Sequence, residues 1–108
     1  MQLTIKVKSY YEKNLEKTYS KLGRCLRHLD AELSSRNPSL YELAGQVDQL
    51  LYRFDGTQLR EVLLPYKDEL KDTFNTIQEN IADWNLAQAD KLLYSLEDIF
   101  DEIESNLV

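Results

Sequence analysis

Apolar side chains recur along this sequence at steps of three and four, and no other feature constrains the fold as much. Leu3, Val7, Tyr11, Leu15, Tyr19, Leu22, Leu26, Leu29 and Leu33 form the first such row. That spacing lays hydrocarbon along one side of a helix, which must then be covered by another element. The row predicts a long first helix, secure from about Ser9 and running to about Ser34. Residues 1–8 are ambiguous, because Leu3, Ile5 and Val7 also alternate with Thr4, Lys6 and Lys8 at the strand period of two.

The cluster Ser34 to Ser39 interrupts the first row. Asn37 offers an N-cap there, and Pro38 suits the first helical position, where its missing N–H costs nothing. The second row, Leu40, Leu43, Ala44, Val47, Leu50, Leu51 and Phe54, predicts a helix of about sixteen residues that stops at Asp55-Gly56. Thr57 is the expected cap of a third helix, whose row from Leu59 to Ile81 keeps phase through Pro65. Pro65 lacks a donor and clashes with the carbonyl four residues earlier, so a bend is expected between Glu61 and Leu64. Asp83 or Asn85 can cap a last helix, which carries Ala89, Leu92, Leu93, Leu96, Ile99, Phe100 and Ile103 inward.

The expected fold is therefore all-α: an antiparallel four-helix bundle with a long first helix and a Pro-kinked third helix, residues 1–108 forming a single domain. A chain of 108 residues is the size of one domain, and three Gly with two Pro leave few turns. The first helix would overhang its neighbours, and either the kinked third helix or a second copy in a homodimer could cover it. One cysteine, Cys25, allows no internal disulfide, no apolar run is long enough to cross a membrane, and no secretory leader is evident, so a cytoplasmic location is expected.

Charge is divided unevenly. Eight Lys or Arg against four Asp or Glu occupy residues 1–36, whereas five against fifteen occupy the remainder, for a net charge of −6. Lys13, Lys17, Lys21, Arg24 and His28 form a basic stripe on the outer side of the first helix. Asp90, Glu97, Asp98, Asp101 and Glu104 make the last helix acidic. The negative balance argues against nucleic acid as a partner, because phosphate contacts need surplus cations.

Sites for catalysis are scarce. His28 on a bundle helix resembles the setting of histidine phosphotransfer domains, but those follow the histidine with Lys-Gly, where this chain has Leu29-Asp30. Cys25, His28 and Glu32 fall at helical spacing for a metal, yet no second histidine or CxxC pair completes a ligand set. No Gly-rich phosphate loop or nucleophile-base pair is evident, so no cofactor and no enzymatic activity are expected.

The expected function is a non-enzymatic protein-protein interaction module, an adaptor, chaperone or regulator, that meets a basic partner. The candidate contacts are Tyr41, Tyr52, Trp84, Tyr94, Glu97, Asp98, Asp101 and Glu104, since aromatic residues beside a core stripe and complementary charge are what interfaces select. Alternatives are an inhibitor or immunity protein that masks a basic nucleic-acid-binding enzyme, and a phosphotransfer or metal-binding bundle centred on His28.

Overall fold

A computed structural model describes residues 14–107 and shows an all-α protein, with no strand among the described residues. The order is α1 (Leu15–Thr18), α2 (Ser20–Leu29), α3 (Ala31–Ser35), α4 (Leu40–Gly45), α5 (Val47–Arg53), α6 (Gln58–Leu63), a 3-10 turn (Leu64–Tyr66), α7 (Lys67–Ala82) and α8 (Leu86–Asn106). The question of helix or strand over residues 1–8, and the part of the basic stripe at Lys13, lie outside the described residues.

The expected long first helix is corrected to three short ones. Tyr19 (φ −124°, ψ 80°) and Asp30 (φ −153°, ψ 83°) leave helical geometry, and α1 folds back onto α2. Gly23 makes the reversal feasible: a Cβ there would collide with the backbone of Glu16. Glu16 also pairs with Arg27 at 3.3 Å across the same contact. Asp30 breaks the helix because its carboxylate accepts from Leu33 N at 3.1 Å and so caps α3. Most of the apolar row survives these breaks, with Leu15, Tyr19, Leu22, Leu26 and Leu33 buried, but Leu29, just before the break at Asp30, is 41% exposed.

The sixteen-residue second helix is likewise divided, at Gln46, into α4 and α5. Its cap is Ser39, whose Oγ accepts from Glu42 N at 3.1 Å, and not Asn37. Asn37 has a positive φ of 48°, and its Oδ1 accepts from Leu15 N at 2.7 Å, which ties this turn to the start of α1. Gly56 has the left-handed φ of 83° that the Asp55-Gly56 stop requires, and Thr57 caps α6 as expected. Pro65 does interrupt the helix, but later than the expected bend between Glu61 and Leu64: α6 stays regular to Leu63, and the 3-10 turn Leu64–Tyr66 separates it from α7.

The regular four-rod arrangement is thus replaced by a long α7–α8 hairpin against which shorter helices pack. α4 touches both arms, α2 and α6 lie on α8, and α5 meets α6 and α7. The shared core includes Leu22, Leu26, Val47, Leu59, Leu70, Ile77, Leu96, Phe100 and Ile103.

Candidate docking face on α8

α8 carries six carboxylates, Asp90, Glu97, Asp98, Asp101, Glu102 and Glu104, against the single cation Lys91. Five of them crowd the last three turns, toward the end where the helix dipole is itself negative and disfavours anions. Among the described residues, five ion pairs form, and none uses a carboxylate of α8.

Two of these acids serve the fold. Glu104 accepts from Lys21 N at 2.6 Å and Leu22 N at 2.9 Å, so its carboxylate satisfies the open N-terminus of α2, where the N-cap residue Tyr19 makes no side-chain cap bond. Asp101 takes a hydrogen bond from the Tyr19 hydroxyl; burial first, then the charge and hydrogen bond of Asp101, hold that phenol well above its ordinary range. Asp101 and Glu104, expected as docking residues, thus also pin the α1–α2 junction onto α8.

Glu97 is half-buried. Burial and then the neighbouring charges of Asp101, Asp98 and Asp90 push its pKa above the usual carboxylate range. Asp98 is exposed, and Tyr94 stands between these acids with 60% of its surface in solvent. Tyr94, Glu97 and Asp98, with Asp90 one turn before Tyr94, form a contiguous anionic strip with an aromatic ring in it.

The tyrosines of the divided second helix do not join this strip. Tyr41 is half-buried, with its ring centroid 4.6 Å from that of Phe74 and its hydroxyl bonded to Gln78; burial raises its pKa. It is a packing residue, corrected from the expected contact surface. Phe74 also covers Gly45, where a Cβ would come within 2.6 Å of the ring. Tyr52 is 86% exposed and lines a separate open groove of about 610 Å³ with Asp48, Leu51, Arg53, Asp55, Arg60, Leu64 and Lys67. Each cation of that groove already has a carboxylate: Arg53 with Asp30 at 2.7 Å, Arg60 with Asp55 at 3.5 Å and Lys67 with Asp48 at 3.7 Å. Sequence periodicity gave no sign of the groove, because its residues come from α5, α6, the 3-10 turn and α7, with Asp55 from the turn after α5.

Trp84 sits in the turn between α7 and α8, 62% exposed. On the opposite side of the charge map, Lys17 and Arg24 are exposed, Lys21 is half-buried, and none of the three has a carboxylate within ion-pair distance among the described residues.

The sites considered for other chemistry are dispersed. Glu32 lies in α3, beyond the break at Asp30, so it no longer continues the helix of Cys25 and His28. Burial and the charge of Glu104 raise the Cys25 thiol above its ordinary pKa, the reverse of an activated nucleophile. No cluster of three His, Cys, Asp or Glu side chains able to hold a metal occurs among the described residues, and no helix there is long and apolar enough to cross a membrane. Comparison with known proteins finds no matching family model, no similar curated protein and no similar solved structure.

Proposed function

We propose that this protein is a non-enzymatic interaction module that docks a basic partner protein along α8, through Tyr94, Glu97, Asp98 and Asp90. The observation that supports this reading is charge left uncompensated at a cost. Like charges repel along the strip, the helix dipole disfavours its C-terminal members, and the charges of Asp101, Asp98 and Asp90 add to burial in raising the Glu97 pKa. A partner bringing Lys or Arg relieves all three terms, and complementary fields speed encounter and exclude acidic competitors.

The specific form of this reading is a regulator or inhibitor that covers a basic nucleic-acid-binding enzyme, with the row of carboxylates standing in for backbone phosphates. The test is the Glu97→Gln, Asp98→Asn double variant, which keeps shape and removes charge. Partner affinity is expected to fall at least ten-fold at low salt and to lose most of its salt dependence. A double variant that binds the same partner equally well at all salt concentrations excludes this face.

A further inference from the structure

The turn between α7 and α8 closes with two bonds: Asn85 N donates to Asn80 O at 2.7 Å, and Trp84 N donates to Ile81 O at 3.1 Å. Together they form the helix-ending arrangement in which the residue at the first position beyond the cap adopts left-handed geometry. Glycine dominates that position because a Cβ is strained there. Here it is Trp84, at φ 59°.

Two unfavourable choices therefore coincide at one residue, a left-handed backbone and an indole left largely in water. Neither helps the fold, and strain of this sort collects where a side chain has a task besides packing. Leu86, the first residue of α8, is also 48% exposed, and Tyr94 follows two turns further on. Between and around these apolar groups stand Asp83, Asp90, Glu97 and Asp98. The exposed surface from the turn into α8 thus alternates apolar and anionic groups.

We propose that Trp84 and Leu86 form an anchoring knob for a basic amphipathic helix of a partner protein, whose apolar residues pack on the indole and whose lysines or arginines meet Asp83 and Asp90. This deepens the docking reading above and rests on its basic partner. Trp is the residue most enriched among those that dominate binding energy, and a ring already held outside the fold needs no rearrangement to be buried. An anionic membrane is disfavoured by the flanking carboxylates. A second copy is disfavoured as well. The chain's own apolar groove with cations, around Tyr52 and Leu64, has those cations paired to Asp30, Asp48 and Asp55, and would place carboxylates against Asp83 and Asp90.

Trp84 is the chain's sole tryptophan, so its emission reports directly on the knob. The full chain is titrated with a synthetic Leu–Lys amphipathic helical peptide, with a Leu–Glu counterpart and with phosphatidylglycerol vesicles. A saturable blue shift with the Leu–Lys peptide alone is expected, weakened by salt. By anisotropy of the labelled peptide, Trp84→Gly is expected to bind at least ten-fold more weakly while its melting midpoint is no lower than that of the parent. Trp84→Asn, which also tolerates left-handed geometry, serves if the glycine variant misfolds. Unchanged affinity in these variants, an equal response to the Leu–Glu peptide or the vesicles, or a Trp84-dependent dimer in sedimentation each overturns the proposal. The Glu97→Gln, Asp98→Asn variant separates the two readings: peptide binding lost there but kept in Trp84→Gly retains the α8 face and rejects the knob, and the converse retains the knob and rejects the face.

Discussion

The segment α1–α3 and the α7–α8 hairpin handle polar groups in opposite ways. In α1–α3 the helix is broken twice, yet the breaks are answered from elsewhere in the chain: Glu104 caps α2, Asp101 holds Tyr19, Asn37 receives Leu15 N, and Arg53 pairs with Asp30. In the hairpin the helices run unbroken for 16 and 21 residues, and among the described residues no carboxylate of α8 forms an ion pair while Trp84 and Tyr94 stay largely exposed. Irregular backbone with satisfied side chains is a signature of fold; regular backbone carrying exposed charges and rings is the surface on which the proposed docking rests. Partners reach the second kind of surface more readily than the first.

The largest loss is expected from Gly23→Ala. Its Cβ meets Glu16 backbone, which no rotamer change can move aside, so a loss of about 3 kcal/mol is expected in chemical denaturation. A loss under about 1 kcal/mol would mean that α1 does not lie against α2 as described. Next in size is Glu104→Ala, which leaves two N–H groups of α2 without their acceptor and should cost about 1–2 kcal/mol, with amide exchange accelerating in α2 before α7. Trp84→Gly acts in the opposite sense, since relief of left-handed strain is worth about 1 kcal/mol and offsets the modest packing lost; a lowered thermal midpoint would contradict the reading of strain.

The smallest effect sharpens the comparison through pH. Glu97 has its pKa raised on folding, so its contribution to stability is complete below its ordinary value of 4.5 and is lost as pH rises through the higher folded value. Asp48, held down by its hydrogen bond with Lys71, behaves inversely: its contribution is present above the ordinary 3.8 and is lost as pH falls through the depressed folded value. Glu97→Gln is therefore expected to stabilise at neutral pH by about 0.3 kcal/mol and to gain nothing near pH 4, as read from paired urea titrations.

The sequence reading recovered what depends on neighbours along the chain. Most of the buried rows, the Asp55-Gly56 stop, the Thr57 cap and the existence of an interruption at Pro65 all express local chemistry, although Leu29 is exposed and the interruption falls at Leu64–Tyr66, later than expected. The breaks at Tyr19 and Gln46 were not legible. α2 takes its cap from a carboxylate more than eighty residues away, and the bend after Gly45 follows the ring of Phe74 from another helix. Asp30 did carry a local signal, the capping preference of aspartate, but the continuous apolar row masked it. Of the expected contact residues, Tyr94, Glu97 and Asp98 lie together, Trp84 stands at the turn that begins their helix, and Tyr52 faces a different groove. Tyr41, Asp101 and Glu104 also serve the fold, because a ring, a phenol and a bare helix end were there to receive them, which spacing alone does not reveal.

The Glu104 contact also orders events during synthesis. Lys21 and Leu22 precede their acceptor by 83 and 82 residues, an interval of about 4–17 s at ordinary rates of translation. Helical turns form and dissolve within about a microsecond, so α2 must live through that interval as a transient helix with an uncapped end. The start of α2 consequently gains its cap only after α8 is made, although it is synthesised well before that helix.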